Sequence, residues 1–345
     1  MRKTFTAAIL FLSLNTQAQE GQFSQYFASS SFMSPAFTGA IPNLSLNSNY
    51  KRGGSPNSEN FFEMVQTTFT YPFQKHTSKS VQVGGAGISF FQERRGYQGL
   101  YSARKVLLNG AYNIKLDQFS NRYFIFGLQG GAAQQRINGN QLQWGSQFNK
   151  YFGYDDTRPG EGIPVSSVFY PVFNFGVMYT AFDNQNLYIR DRSFTFGASI
   201  DNLNRPVIDY QSVEPSHLNF LYKAFGSVKL PLAPRWHIFP SFYALHSHGN
   251  TQVNAGTYLS TFLSSVRSRT AFLMQFGAWY RVGDSVIVLT GFQVENIRLG
   301  FSVDLNAQTY NLGTELSNDL PTYEISLTYN LNLSRPLRNM TSPIF

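Results

Sequence analysis

Near the C-terminus, Tyr323, Ile325, Leu327, Tyr329, Leu331 and Leu333 alternate with Glu324, Ser326, Thr328, Asn330 and Asn332. Successive side chains of a strand point to opposite faces, so one face of this segment is apolar and the other polar. The same period of two sets Phe272, Met274, Phe276, Ala278 and Tyr280 against Gln275, Gly277 and Arg281. It sets Val106, Leu108, Gly110, Tyr112, Ile114 and Leu116 against Asn109, Asn113 and Lys115, and Ile297, Leu299, Phe301, Val303 and Leu305 against Arg298, Ser302 and Asp304. With weaker members, the pattern predicts strands over 44–50, 65–73, 81–92, 104–116, 122–136, 168–181 and 193–201, then over 218–230, 236–246, 253–263, 271–282, 285–294, 296–305 and 322–332. The expectation is all-β: a transmembrane outer-membrane β-barrel of about 14 antiparallel strands, each near the length that crosses a bilayer at a tilt. One missed hairpin changes the number by two, which bounds it at roughly 12–16.

The connections give a separate test. Outer-membrane barrels have short periplasmic turns and longer outer loops. With both barrel ends on the periplasmic side, the connections after odd strands should be long. Segments 51–64, 93–103, 137–167, 202–217 and 306–321 follow odd strands, while 74–80, 117–121, 182–192, 231–235, 264–270 and the turn near Glu295 follow even ones, so long and short mostly alternate as required. The tight Gly283-Asp284 connection and 247–252 are exceptions.

Composition narrows the class. Charged residues make up 13% of the 345 residues and aromatics 16%, with 33 Phe and 20 Tyr. A typical soluble domain is about 25% charged, and disorder needs high charge with few aromatics. No segment after residue 18 supplies the apolar run of about 20 residues that a membrane helix needs. The absence of Cys excludes disulfide scaffolds, thiolate metal sites and cysteine nucleophiles. The faces opposite the apolar stripes are mostly Asn, Ser, Thr, Gln and Gly, as a polar lumen would require. A soluble sandwich or propeller with an uncharged surface is the competing architecture. The formal charge of +8 is scattered, without the basic patch or motif that nucleic-acid binding needs.

Met1-Arg2-Lys3, the apolar run Phe5 to Leu14 and Thr16-Gln17-Ala18 have the three-part order of a secretory signal, with cleavage near Ala18. The predicted organisation is a signal peptide at 1–18, an N-terminal periplasmic or luminal segment at 19–43, the barrel at 44–333 and a C-terminal extension at 334–345. Pro336 and Pro343 stop the last strand short of Phe345, and Arg335 and Arg338 in the tail are possible contacts to acidic partners.

Residues 22–39 read QFSQYFASSSFMSPAFTG. This resembles the opening of the PorP/SprF family of type IX secretion membrane proteins of Bacteroidetes, which begins with Phe-Ser-Gln-Tyr and continues to an Asn-Pro-Ala-Tyr-like element ending in Gly. Phe23, Ser24, Gln25 and Tyr26 match the first part, and Pro35, Ala36, Phe37 and Gly39 the second; Ser34 and Phe37 replace the usual Asn and Tyr. Looser similarities lie in Tyr50-Lys51-Arg52, Val83-Gly84-Gly85-Ala86-Gly87, Asn202-Leu203-Asn204-Arg205-Pro206 and Tyr323-Glu324-Ile325-Ser326-Leu327. The resemblance implies an outer-membrane barrel of the type IX secretion or gliding motility apparatus, supporting secretion or cell-surface anchoring of an adhesin. It implies as partners outer-membrane lipid, a type IX-secreted adhesin or its C-terminal domain, and a periplasmic peptidoglycan-linked motility or secretion protein. A passive channel for small solutes shares the same fold and stays open at this point, as does a soluble secreted β-adhesin.

Two segments are candidate partner-binding sites. The first, 22–40, is uncharged and aromatic, and Phe23, Gln25, Tyr26, Pro35 and Phe37 are its candidate contacts, either folded into the lumen or docking a partner. The second is the connection 137–167, with Tyr154, Asp155 and Asp156 in GYDDTRPGEG and Trp144, Phe148, Tyr151 and Phe152 just before. Its match to a Ca²⁺ loop is poor. His246 and His248 would share a strand face but lack carboxylate neighbours, and no nucleophile elbow, P-loop or dinucleotide fingerprint occurs. The sequence therefore predicts no enzyme, no cofactor and no metal.

Overall fold

The computed structural model describes residues 21–56, 61–75, 81–116, 121–138, 142, 144–155, 157–160, 167–183, 192–210, 216–263, 272–306 and 321–331. The predicted signal peptide 1–18, Asp156, His76 and the tail beyond residue 331 with Arg335 and Arg338 lie outside the described residues.

Fourteen antiparallel strands form a closed barrel. They are β1 (Leu44–Gly53), β2 (Phe62–Lys75), β3 (Val81–Arg95), β4 (Tyr101–Lys115), β5 (Asn121–Ile137), β6 (Ser167–Asp183) and β7 (Arg192–Asp201). Then follow β8 (Leu221–Ala233), β9 (Trp236–Ser247), β10 (Asn250–Phe262), β11 (Phe272–Arg281), β12 (Ser285–Val294), β13 (Ile297–Asn306) and β14 (Thr322–Leu331). Each strand pairs with its sequence neighbours, and β1 closes on β14 from Leu44↔Leu331 to Arg52↔Tyr323. Closure leaves no unpaired edge, which a lipid environment requires because hydrocarbon offers backbone groups no hydrogen-bond partner. The expected number and order of strands hold, with several strands longer at their outer ends than the alternation alone predicts.

The apolar stripes face outward. Leu108, Leu128, Phe169, Phe173, Val288, Leu299, Ile325 and Leu327 are all exposed, while the intervening Asn109, Gln129, Asn174, Ser302, Glu324 and Ser326 are buried. The tight 248–249 connection has both residues at positive φ, His248 at 44° and Gly249 at 79°, which suits the right-handed twist of a two-residue hairpin. That turn carries His248 out of the strand, so it does not share a face with His246. The long connections 138–166, 202–220 and 307–321 all leave the rim opposite the one where Leu44 meets Leu331. Long outer loops make the Leu44–Leu331 rim periplasmic.

The interior departs from the expected uncharged polar lumen. Lys51, Lys223, Lys229, Arg281, Asp304 and Glu324 all point inward and are buried. So do the apolar Ile125, Met178, Phe225, Phe239, Tyr243, Trp279, Ile287 and Leu289, which form one cluster with Tyr26, Phe27, Met33 and Phe37. The physical reason is that the lumen is occupied. Residues 21–43 run inside it, so much of the inner wall is a packed core.

A charge at the lipid-facing centre of a barrel wall costs about 2–4 kcal/mol. Leu108→Arg, midway along β4, is expected to destabilise the folded barrel by roughly that amount. Urea titration of vesicle-reconstituted protein checks this, with Asn109→Ser on the inner face as the comparison.

Candidate functional site

The luminal segment takes its shape from its own sequence. Helix α1 (Ser30–Met33) stops at Ser34, which is extended at φ −161°, ψ 139°, because a residue before proline is driven out of the helical region. The Ser34 hydroxyl accepts the Ala36 N–H at 3.3 Å, a local turn that Asn or Ser can supply. Helix α2 (Phe37–Ala40) follows, and the chain leaves for β1 beyond Pro42.

Two short helices leave many peptide groups without partners inside them, and burial in the lumen makes unpartnered groups costly. The barrel wall supplies the partners. Lys51 Nζ donates to the Gln22 carbonyl at 3.0 Å, Lys223 Nζ to the Phe32 carbonyl at 2.5 Å, and Ser199 Oγ to the Met33 carbonyl at 2.7 Å. Asn113 Nδ2 donates to the Gly39 carbonyl at 2.7 Å, Gln82 Nε2 to that of Ile41 at 2.7 Å, and Gln74 Nε2 to that of Pro42 at 2.8 Å. The glycine-rich walls allow close approach. A Cβ on Gly127 would collide with the Pro35–Ala36 backbone, and one on Gly85 with the Thr38 carbonyl.

Near the outer rim the segment is held by charge. Glu324 accepts the Ser24 amide at 2.6 Å, the Gln25 amide at 3.1 Å and Asn49 Nδ2 at 3.0 Å. Asp304 Oδ2 accepts the Ser24 hydroxyl at 2.6 Å and pairs with Lys51 at 2.8 Å and Arg281 at 3.1 Å. Lys51 Nζ also donates to Ser24 Oγ at 2.6 Å. Gln25 donates to the Glu324 carbonyl at 3.0 Å and accepts the Ser326 hydroxyl at 2.7 Å. Gln22 bonds to Gln252 and Asn254. Two buried cations and two buried anions balance formally, and every strand that contributes one of the four charges lies on the β10–β1 side, where the barrel closes.

Aromatic packing completes the seat. Tyr26 stacks on Tyr243 at 5.1 Å between ring centres and meets Trp279 edge-on at 4.7 Å. Phe37 packs on Phe225 at 4.9 Å, and Phe23 on Phe32 at 5.6 Å. Such pairs add about 0.5–1.5 kcal/mol each beyond their area burial. The predicted contact residues Phe23, Gln25, Tyr26, Pro35 and Phe37 are therefore brought together along one segment, facing the chain's own inner wall.

A model of the PorP/SprF type IX secretion system membrane proteins matches residues 15–329. The chain belongs to the PorP/SprF family. No curated protein matches it in sequence. Among solved structures it is similar to a Pseudomonas aeruginosa FadL homologue at 11% identity, covering 88% of this chain and 94% of that one, with a TM-score of 0.43. It is also similar to the CymD monoaromatic hydrocarbon channel at 8% identity, covering 88% and 93%, with a TM-score of 0.41, and to BamA from Haemophilus ducreyi at 10% identity, covering 91% and 80%, with a TM-score of 0.39.

In this PorP/SprF protein the family-like stretches meet in space. Ser24 and Gln25 of the opening motif bind Lys51 of the first strand and Glu324 and Ser326 of the last, while Gly85 of the third strand gives Thr38 room. Lys51, Arg281, Asp304 and Glu324 were not among the sequence candidates. A signal for them existed: each is a charge at an inward position of a strand whose polar face is otherwise mostly uncharged.

The second candidate lies apart, on the outer connection. Phe148–Asn149 and Gly153–Tyr154 pair as a small ribbon whose tip residues Tyr151 and Phe152 are 83% and 88% exposed. Asp155 is engaged locally. The Thr157 hydroxyl and amide donate to it at 2.6 and 3.1 Å, and with Arg158 beside it they hold its carboxyl below the usual carboxylate range. Among the described residues no group of three or more His, Cys, Asp or Glu is placed to hold a metal ion.

Removing one member of a buried ion pair strands the others, at about 3–5 kcal/mol, whereas replacing both by apolar groups is often neutral. Asp304→Leu should lower stability by roughly that amount, and Lys51→Met/Asp304→Leu should recover much of it; urea midpoints of the two proteins check this. Gly127→Val should unseat Pro35–Ala36 and open the segment's Phe and Tyr sites to chymotrypsin while the barrel stays folded by heat-modifiable gel mobility. Protection equal to wild type would count against the seat.

Proposed function

We propose that this outer-membrane barrel works in type IX secretion or gliding motility by holding other proteins, supporting secretion or surface anchoring of an adhesin, and that it has no enzymatic role. Family membership supports the secretion setting. The observation that carries the protein-holding reading is the occupied lumen: a segment bonded along its length and anchored by buried charges leaves little room for a solute path.

The two rims suit different partners. On the outer rim, the ribbon with exposed Phe148, Tyr151, Phe152 and Tyr154 presents aromatic surface, the kind that dominates binding energy at interfaces. Tyr154 and Asp155 there, with Asp156 next in the sequence, are the proposed contacts for a type IX-secreted adhesin or its C-terminal domain. On the periplasmic rim, the exit of the segment beyond Pro42 offers a contact for a peptidoglycan-linked motility or secretion protein. Phe23, Gln25, Tyr26, Pro35 and Phe37 then act on partners indirectly, by keeping the barrel closed and the Pro42 exit fixed.

Pull-down of the full chain from detergent-solubilised outer membrane is expected to recover a secreted adhesin. Deletion of 140–162 should abolish that recovery and the adhesin's surface display, and deletion of 22–40 should weaken periplasmic partner recovery. Steady single-channel conductance by the full chain in planar bilayers, with no protein partner recovered, would overturn the reading in favour of a solute channel.

A further inference from the structure

The outward faces of β3, β4 and β5 change character abruptly near the outer rim. The row Phe90–Val106–Ala132 runs across the three strands in register, with Phe90 and Val106 exposed to lipid. Two residues further out lies the row Gln92–Arg104–Gln134, and two further again Arg94–Ser102–Arg136. The last row continues across β2 and β1 as Glu63 and Arg52. Four arginines and one carboxylate therefore stand on the outer wall directly above the apolar band.

The carboxylate does not neutralise the group. Glu63 accepts the Tyr50 hydroxyl at 2.8 Å and pairs with Arg94 at 3.3 Å, and Arg52 lies over the Phe61 ring at 5.7 Å. Arg104 and Arg136 have no ion pair among the described residues. With Arg94, Gln92, Ser102 and the 98–100 turn they line a cleft of about 330 Å³. Adjacent strands lie about 4.8 Å apart, so the Arg94 and Arg136 backbones are roughly 10 Å apart with Arg104 between and one step lower. Flexible guanidinium stems from three sides can converge on one tetrahedral anion, for which the planar fork of arginine is well suited. At the corresponding outer level β11–β14 present Tyr280, Val286, Leu305 and Tyr323 instead.

We propose that this cleft binds the phosphate of a phosphorylated lipid of the outer leaflet. The position decides the source. The arginines share a face with lipid-contacting Phe90 and Val106, so a lipid whose chains lie against that band brings its headgroup phosphate to their level. The site is independent of the luminal segment and of the partner reading above.

The test uses detergent-purified full chain and native mass spectrometry with three probes: diphosphorylated lipid A, the same lipid enzymatically dephosphorylated, and inorganic phosphate. Wild type is expected to retain diphosphorylated lipid A at least tenfold better than Arg104→Gln/Arg136→Gln and at least tenfold better than it retains the dephosphorylated form. Arg104→Lys/Arg136→Lys should keep an intermediate share, and Lys75→Gln/Arg122→Gln, which removes two charges at the other rim, should bind as wild type. Equal binding by wild type and the Gln double variant overturns the site. Equal loss in the Lys75/Arg122 control overturns its specificity, and inorganic phosphate binding as tightly as the lipid overturns the lipid source. Unchanged heat-modifiable gel mobility confirms that each variant is folded.

Discussion

A length of irregular chain inside a closed barrel has little water to bond to, and this constraint organises the structure. The peptide groups of 21–43 that its own short helices and turns leave over have to be met by the wall. The inward Gln, Asn, Ser, Lys and Glu side chains meet many of them: Gln74, Gln82 and Asn113 near the periplasmic ends of their strands, Ser199, Lys51 and Glu324 near the outer ends. A net gain of about 0.5–1.5 kcal/mol per neutral hydrogen bond, and more for those to charged groups, is modest singly. The penalty for leaving such groups bare is larger, so the seat is specific: a shifted segment would lose many partners together.

The ionic cluster adds a long-range consequence. Ser24 and Gln25 are bonded to Asp304, Glu324 and Ser326, residues close to 300 positions away, and Lys51 on β1 joins the same group. These side chains stand at the junction where β1 meets β14. Closure of the barrel and docking of the segment's outer end therefore reinforce each other, since neither set of contacts is complete before the last strands are in place. Buried charges of both signs are costly to desolvate, and their best-attested use is to fix one register among alternatives. Here they fix the depth of the segment in the lumen.

The architecture was legible because the lipid interface imposes a strict rule. Alternation such as Tyr323 to Leu333 separates the apolar face of a strand from its polar face, and about fourteen such segments with mostly long connections on one side point to one closed barrel, the architecture the structure has. The opening motif was also visible as a family signature, and its uncharged aromatic character singled it out as a segment needing a place to bury itself. The inner wall was harder to read. Trp279 lies between Ala278 and Tyr280 of an apparently apolar-out strand, and alternation alone sends it to the polar side. In β12 the run Val286-Ile287-Val288-Leu289 is apolar on both faces, a pattern of burial on both sides that points to a packed interior.

By itself, then, the sequence determined which strand faces are apolar, an all-β chain of about 14 strands and which family the opening motif resembles, because these follow from local periodicity and short motifs. Tertiary structure alone decided that the lumen is filled, that Lys51, Arg281, Asp304 and Glu324 form one balanced group around Ser24, and that Arg94, Arg104 and Arg136 share one cleft. Those facts depend on register between strands that are distant in the chain. Periodicity carries no information about which inward or outward positions of separate strands stand side by side.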